Sequence, residues 1–287
     1  MFTLYNLLNT YDLELSNLKS NLYVNFETGD ARGFLKDGRK IDYTKTAENF
    51  IQNLKNNKYE IDVVFEIDKG YVIDENGKVI EFTHQGDGKS NYKGSDWGRS
   101  QNVKMGTENL INHVIVNPGE QISFLELLKN RGSNIRWQLA KVIKKGGELV
   151  LEPGGGLCQV STTLFRAALQ SGMQIDKWRN HSLYVSYYKA YNNGLDSTIY
   201  PPTVDLKFTN PYDFPVIFQS YTNDEKDVVV EIYASDKLPE VTLVGPFFKG
   251  DVEGLRYNQI LWQRVISNGF TQNVEDYLST YNTGVMR

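Results

Sequence analysis

Cysteine and histidine are scarce in this sequence. Its 287 residues contain one cysteine, Cys158, and three histidines, His84, His113 and His181. A single cysteine excludes an internal disulfide and a cysteine-rich zinc site. No two histidines have the i, i+4 spacing that places two ligands on one helix face. We therefore expect neither a bound metal nor a cofactor.

Long apolar runs and a surplus of positive charge are also missing. No run of about 18 apolar residues occurs, so the sequence predicts no transmembrane helix. Residues 1–8 lack the basic and long apolar segments of a signal peptide. The net charge of −4 and the pI near 5.5 argue against a nucleic-acid partner. A hydrophobic content of 40% is nevertheless enough for a substantial core.

The most informative segment is a glycine run that precedes the single cysteine. Gly154, Gly155 and Gly156 come shortly before Cys158, and apolar residues recur at helical spacing over 160–169. This pattern predicts a helix that begins near Cys158. Unpaired N–H groups and the helix dipole favour a thiolate at such a position.

Two interpretations of Cys158 remain open at this point. A lone cysteine is most often a small buried hydrophobic residue. A nearby base favours a nucleophile instead, and His181 is the candidate because the predicted helix and a turn can return the chain to Cys158. His113 lies in an apolar, strand-like run and His84 lies beside a polar loop, so we expect neither to act as the base.

The predicted helix start also supplies backbone donors. The N–H groups of Cys158 and Gln159, or those of Gly155 and Gly156, are candidates to stabilise an oxyanion if the thiolate attacks a carbonyl. The glycines leave room for a substrate backbone to approach.

The patterning predicts an α+β fold with three regions. Residues 1–84 are expected to form a small α+β module of strands and one helix. The polar, glycine-rich residues 85–99 are expected to form a loop at the start of the next domain and to contribute to its site. Residues 85–235 are predicted to form an antiparallel sheet packed against a few helices, including the Cys158 helix. Residues 236–287 are less patterned and are treated as a C-terminal extension.

Five separated segments, taken together and in order, resemble the VanW-like family. They are residues 88–95 with Arg99 and Asn102, residues 117–124, residues 154–164, residues 179–182 and residues 205–210. The resemblance covers about residues 86–220. The 1–84 module is similar to the peptidoglycan-binding segment that often precedes such domains. The resemblance implies an extracytoplasmic, cell-wall setting linked to glycopeptide resistance, and an L,D-transpeptidase activity that some members carry.

Carried over by motif, Cys158 is the nucleophile and His181 is the matching histidine. The resemblance then implies acyl transfer on peptidoglycan stem peptides through a thioester on Cys158. Hydrolysis of the same thioester, as in an L,D-carboxypeptidase, remains an alternative. So does a non-catalytic wall-binding or resistance-accessory role with a buried Cys158. The sequence sets no oligomeric state.

Several further side chains are candidates for supporting roles. Ser182 and Asp205 are expected to orient His181, and Arg179 to bind a stem-peptide carboxylate as a fork. Residues that are expected to line the substrate groove are Ser90, Asn91 and Arg99.

Overall fold

The chain forms two compact units. The computed structural model describes residues 18–143, 149–185, 188, 191–269 and 271–282, together with positions 6, 8 and 9. The first unit comprises Met1–Phe82 and the second Thr83–Arg287.

The first unit is a small α+β structure. Its described helix, α1 (Tyr43–Lys55), begins after Asp42, whose carboxylate accepts the N–H of Lys45. This is a typical N-cap interaction. Its strands are β1 (Ser20–Asn25), β2 (Asp30–Lys36), β3 (Gly38–Ile41), β4 (Phe65–Asp68), β5 (Val72–Ile73) and β6 (Val79–Ile80). One sheet has the order β2-β1-β5-β6, and β3 pairs with β4.

The second unit combines helices with antiparallel strands. The helices are α2 (Trp97–Gly106), which continues into a π turn at Thr107–Ile111, α3 (Phe124–Gly132) and α4 (Leu157–Gln170). The strands are β7 (Thr83–Asn91), β8 (Val114–Val116), β9 (Gln121–Ser123), β10 (Leu139–Ile143), β11 (Leu149–Pro153), β12 (Gln174–Lys177), β13 (Lys207–Thr209), β14 (Val216–Thr222), β15 (Asp227–Ala234), β16 (Glu240–Phe247), β17 (Gln259–Ser267) and β18 (Gln272–Thr280). The predicted α+β class is confirmed.

Helix α4 lies at the centre of the second unit. Every residue over 159–169 is buried, and the helix packs on a sheet with the order β7-β15-β14-β8. Gly88 in β7 permits this close packing, because a Cβ there would lie 2.5 Å from the Ala167 nitrogen.

Strand β7 replaces the loop that the sequence predicts over residues 85–99. It pairs with β15 from Thr83 to Asn91, and α2 begins at Trp97. The glycines and polar residues of this segment hide the apolar alternation that usually marks a strand. Small residues are required instead because the strand lies directly against a helix.

Strands β16, β17 and β18 form a three-stranded sheet within the second unit. Ile260, Trp262, Tyr277 and Tyr281 from this region are buried in the same core cluster as α4. The weak sequence pattern of residues 236–287 therefore conceals regular strands. The division of the chain into functional domains at 84 and 235 stays a prediction.

Candidate active site

Cys158 lies at a cleft of about 270 Å³ at the start of α4. Over residues 157–169 it is the one position that is only half-buried. Apolar side chains line much of the cleft, among them Leu128, Val142 and Ile199, and charged ones lie between them. The charged side chains at the cleft are Arg99, Lys141 and Glu152, together with His181. The cleft is thus a partly apolar, accessible space beside the thiol.

The glycine run brings the chain into α4 at close range. Gly156 is the N-cap with φ +112°, a conformation that favours glycine. The backbone is held by Asn102, whose side-chain amide donates to the carbonyl oxygens of Gly155 and Gln138 at 2.9 Å each. A Cβ on Gly155 would lie 2.8 Å from the Ala140 Cβ. The glycines are therefore needed for packing, whatever their part in chemistry.

Only part of the predicted oxyanion site is free to act. The Gln159 N–H donates to the Gly156 carbonyl at 2.9 Å, so Gln159 does not offer its backbone to a substrate. The Leu157 N–H donates to the Gly154 carbonyl at 3.1 Å. In the described part of the chain, the Cys158 N–H has no acceptor. The N–H groups of Gly155 and Gly156 likewise have no acceptor in this part of the chain, so Cys158, Gly155 and Gly156 remain the candidate backbone donors.

His181 connects the thiol to a buried carboxylate. Its Nδ1 is hydrogen-bonded to Asp196 Oδ2, and its backbone N–H donates to the same oxygen at 2.9 Å. The hydroxyl of Tyr281 donates to Asp196 Oδ1 at 2.9 Å. With Nδ1 engaged, Nε2 is the nitrogen that remains available to the Cys158 thiol, which lines the same cleft. Cys158, His181 and Asp196 are called the thiol–imidazole–carboxylate chain below, because the first two line one cleft and the last two are hydrogen-bonded.

Helix α4 also positions Asp196, through polar side chains. Thr162 Oγ1 donates to the Ser197 carbonyl at 3.1 Å and accepts the Ser197 N–H at 3.0 Å. Arg166 Nε donates to the Leu195 carbonyl at 3.0 Å. The segment that carries Asp196 is therefore attached directly to the helix that carries Cys158.

The next residue in that segment, Thr198, reaches the thiol. Its Oγ1 lies 3.6 Å from Cys158 Sγ, and the Ile199 carbonyl oxygen lies 3.7 Å from the same sulfur. The Thr198 N–H donates to the Arg179 carbonyl at 2.8 Å. This last bond ties the cleft wall to the segment that leads to His181.

The three groups shift one another's protonation. Burial raises the pKa of the Cys158 thiol, but the interaction with the charged His181 and the contacts with Ile199 and Thr198 together lower the pKa to about 7. Burial lowers the pKa of His181, but the Asp196 carboxylate outweighs it and raises the pKa well above the usual value. Burial raises the pKa of Asp196, and the His181 charge reverses this and lowers it. Near neutral pH, the imidazole is therefore protonated beside a substantial fraction of thiolate.

The expected orienting residues lie elsewhere. Asp205 accepts the Ser123 hydroxyl at 2.7 Å and the Leu125 N–H at 3.0 Å, so it braces the start of α3 rather than His181. Ser182 is exposed, and its carbonyl accepts the Asn282 N–H at 2.7 Å. Asp196 holds His181 in their place. No periodic pattern marks Asp196, because tertiary bonds to α4 determine its position.

Of the expected groove residues, Arg99 is the one that lines the cleft. Ser90 is buried behind it and accepts a hydrogen bond from Gln159 Nε2 at 3.0 Å. Asn91 donates to Asp227 Oδ1 at 2.7 Å and so braces the end of β7 against β15. The Arg179 side chain is exposed and does not line the cleft.

Neither a metal cluster nor a membrane helix is found among the described residues. No group of three or more His, Cys, Asp or Glu side chains is arranged to bind a metal ion in this part of the chain. Its helices are also too short or too polar to cross a bilayer.

The fold and site define an α+β protein whose half-buried cysteine is paired with a histidine and a buried aspartate. The family model described as VanW like protein matches residues 98–233, which contain Cys158, His181 and Asp196. The resemblance that the sequence motifs suggested is thereby confirmed over this region of the chain.

Two curated proteins are similar to half of the chain. The first is an uncharacterized protein, YoaR, of Bacillus subtilis strain 168, which is 32% identical over 145 residues, 50% of this chain and 46% of that protein. The second is the Vancomycin B-type resistance protein VanW of Enterococcus faecalis, which is 29% identical over 143 residues, 48% of this chain and 50% of that protein. The chain thus spans about half the length of these relatives. No solved structure matches it.

Proposed function

We propose that this protein transfers acyl groups on the peptide stems of peptidoglycan, through a thioester on Cys158. The observation that carries the proposal is the placement of Cys158 and His181 on one cleft, with His181 hydrogen-bonded to the buried Asp196. Such an arrangement activates a thiol nucleophile. A purely structural cysteine has no need of a buried imidazole–carboxylate pair.

The first half of the reaction forms the thioester. The Cys158 thiolate attacks the carbonyl carbon between a diamino acid and D-alanine, and a carbon–sulfur bond forms. The Cys158 N–H is placed to donate to the resulting oxyanion, and one such donor is typically worth about 3 kcal/mol. The carbon–nitrogen bond then breaks, and the protonated His181 gives its proton to the departing amine.

The second half returns the enzyme to its starting state. An acceptor amine attacks the thioester carbonyl, and a new amide bond replaces the carbon–sulfur bond. His181 accepts the proton that the amine loses, while the sulfur leaves as thiolate. Asp196 keeps His181 in the required orientation throughout both halves. Water in place of the amine gives the hydrolytic reaction.

The family relation supports a cell-wall setting for this chemistry. One relative is named as a vancomycin resistance protein, which is consistent with a role in glycopeptide resistance at the wall. We therefore propose that the protein acts outside the cytoplasm and that peptidoglycan stem peptides are its partner. We further propose that the first unit holds the protein on the wall.

The test is to incubate the full chain with purified tetrapeptide-stem muropeptides and to follow protein and products by mass spectrometry. We expect an acyl adduct on Cys158 with loss of D-alanine, and cross-linked products when an acceptor amine is present. Cys158→Ala should form neither. A tripeptide product without cross-links would assign hydrolysis, and the absence of any adduct on a folded wild-type protein would contradict the enzymatic function.

A further inference from the structure

We propose that a second concavity beside the Cys158 cleft binds the acceptor peptide of the transfer reaction, and that Lys177 and Lys207 hold the carboxylates of this peptide. The concavity has a volume of about 500 Å³ and is called the lysine groove below. That the bound peptide resolves a thioester rests on the proposed function. That the groove binds an anionic peptide rests on the charges along its side.

The lysine groove adjoins the Cys158 cleft. Leu128 of α3 and Pro201 line both concavities, so the two spaces meet at these side chains. Pro201 belongs to a tight loop, in which the Thr203 N–H donates to the Tyr200 carbonyl at 2.9 Å. Tyr200 itself lines the cleft. A molecule that lies in the groove therefore has one end at the border of the cleft that contains the thiol.

Two lysines stand opposite each other at the lysine groove. Lys177 in β12 pairs with Lys207 in β13, and Lys207 pairs in turn with Ser123 in β9. The three residues share one face of the sheet and line the groove, whereas Phe208 and Ile122 are buried in the core. Like charges that are directly opposite each other destabilise a strand pair. The pairing is therefore unfavourable for the fold alone, and an anion between the two ammonium groups removes the repulsion.

Nearby carboxylates are engaged by neutral donors. Asp205 lines the groove, but both of its oxygens accept hydrogen bonds at the start of α3. Asp176, the neighbour of Lys177, accepts from Gln121 Nε2 at 2.9 Å and from Thr209 Oγ1 at 2.6 Å. These bonds hold the carboxylates in place without neutralising the lysines.

The charge of the two lysines is left to face the groove. Lys177 Nζ donates to the Thr203 carbonyl at 3.1 Å, which is a neutral acceptor. Within the described ranges of the chain, neither Lys177 nor Lys207 forms an ion pair. The third lysine of the groove, Lys129, lies 3.5 Å from the Glu126 carboxylate. The groove thus offers two cations on adjacent strands, which suits a ligand that carries carboxylates.

The second half of the proposed reaction requires a site of this kind. While the acyl group occupies the cleft as a thioester, the acceptor amine must approach from a neighbouring space, and the groove adjoins the cleft. An acceptor stem peptide brings carboxylates together with its amine. The lysines attract these carboxylates, and the same positive charge disfavours the protonated, unreactive form of the amine. Water needs no such site, so the groove favours transfer over hydrolysis.

The first arm of the experiment measures binding without chemistry. Full-length Cys158→Ala protein is titrated with a tripeptide stem that ends at the diamino acid, by isothermal titration calorimetry at low salt. We expect Lys177→Gln/Lys207→Gln to weaken binding about tenfold, since a hydrogen bond to a charged group is of that size. Added salt should weaken binding more before this substitution than after it. Lys93→Gln/Lys226→Gln, which removes two exposed lysines outside both concavities, should leave the affinity unchanged.

Lys207→Glu tests the same position with the strand pair retained. The new carboxylate lies opposite Lys177, so this variant should melt at or above the temperature of the parent protein. Its affinity for the tripeptide should nevertheless fall further than that of Lys207→Gln, which also decides the result if the double variant does not fold. Unchanged affinity in both single variants would overturn the groove. An equal loss in the control would overturn it too, because the effect would then be general surface charge.

The second arm follows the two halves of the reaction with tetrapeptide stems as donor and the tripeptide as acceptor. We expect Lys177→Gln/Lys207→Gln to acylate Cys158 at the rate of the unsubstituted protein, and its ratio of cross-linked to hydrolysed product to fall about tenfold. An equal fall in acylation would assign the lysines to the donor and overturn the acceptor site. Hydrolysis alone by the unsubstituted protein, with the tripeptide bound, would contradict it as well. If Cys158 is not acylated while tripeptide binding still depends on the two lysines, the proposed function fails and the anionic-peptide site stands.

Discussion

At the scale of single residues, the reactivity of Cys158 depends on two opposing effects at one sulfur atom. Burial disfavours the thiolate, whereas His181 and the hydroxyl of Thr198 favour it, and the balance brings the pKa to about 7. Asp196 supports this balance indirectly, because its carboxylate keeps the imidazole charged. Removing His181 takes away the largest of the effects that oppose burial.

The first prediction is a pH profile. The thiolate is the reactive form, so alkylation by iodoacetamide should rise with pH through a midpoint near 7, the pKa of Cys158. At pH 6 about a tenth of the maximal rate should remain. His181→Ala should move the midpoint to about 8.5 or above and slow the reaction about 20-fold at pH 6.5. A midpoint that the substitution does not move would show that the two side chains do not communicate.

The second prediction distinguishes the roles of two buried aspartates, Asp196 and Asp205. Asp196→Asn removes the charge beside His181 and should slow Cys158 alkylation at neutral pH by about 10- to 100-fold. Asp205→Asn should leave that rate unchanged, because Asp205 contacts Ser123 and Leu125. It should instead lower the free energy of unfolding by about 1 kcal/mol. Alkylation rates measure the reactivity of Cys158, and urea titrations measure the free energy of unfolding. Slower alkylation in Asp205→Asn, with an unchanged rate in Asp196→Asn, would assign the orienting role to Asp205.

At the scale of elements, the start of α4 determines where the thiol points. The helix begins at a glycine with positive φ and is buried along its length, so Cys158 has little freedom to move. Polar side chains of the helix, Thr162 and Arg166, bind the segment that contains Asp196. The apolar side chains of the helix pack in the core. One helix therefore positions both ends of the thiol–imidazole–carboxylate chain.

The third prediction concerns Gly156. A side chain here meets two obstacles: φ is +112°, and the Cβ would lie 3.0 Å from Val103 Cγ2 and 3.2 Å from the Arg99 backbone oxygen. Gly94 is the matched control, since its φ is +82° with nothing within 4 Å of the Cβ position. Gly94→Ala should cost about 1 kcal/mol, and Gly156→Ala at least about 1 kcal/mol more.

Denaturant unfolding of both variants measures the difference, and alkylation of Cys158 shows whether Gly156→Ala also disturbs the site. Equal losses of stability would mean that the packing around Gly156 yields to a methyl group, and that its role is conformational only.

The sequence predicts the parts of this site that depend on local pattern. Cys158 and the helix that follows it are signalled by the glycine run and by helical periodicity, and His181 by its place after that helix. Asp196 carries no such signal, because side-chain bonds from Thr162 and Arg166 hold its segment in place. A position that depends on contacts between distant residues cannot be inferred from spacing alone.

The strands show the same limit of prediction from the sequence pattern. Strands β14 and β15 are β-branched and buried, and their pattern predicts them correctly. Strand β18 is largely polar because Tyr277 and Ser279 are its buried residues. Its register with β17 is seen in the antiparallel pairing of the two strands, and an alternation of apolar and polar residues in the sequence does not indicate it.

At the scale of the whole molecule, the second unit contains the complete site. The residues of the thiol–imidazole–carboxylate chain, the cleft and the hydroxyl of Tyr281 all lie within Thr83–Arg287. The C-terminal strands contribute to the same core as α4. Tyr281, which follows β18, donates to Asp196, so the C-terminal region takes part in the site despite its weak sequence pattern.

The last prediction concerns the boundary between the units. A fragment of residues 83–287 should fold and alkylate at Cys158 as fast as the full chain, because it keeps the whole of β7. A fragment of residues 92–287 should fail to fold, since it loses the ladder to β15 and the strand that packs on α4 at Gly88.

If the first unit is the wall-binding module, the 83–287 fragment should also lose most of the full chain's affinity for insoluble peptidoglycan. Circular dichroism, alkylation rates and sedimentation with purified sacculi measure the three properties. Equal sedimentation of the fragment and the full chain would assign wall binding to the second unit, and a folded, reactive 92–287 fragment would show that β7 is dispensable.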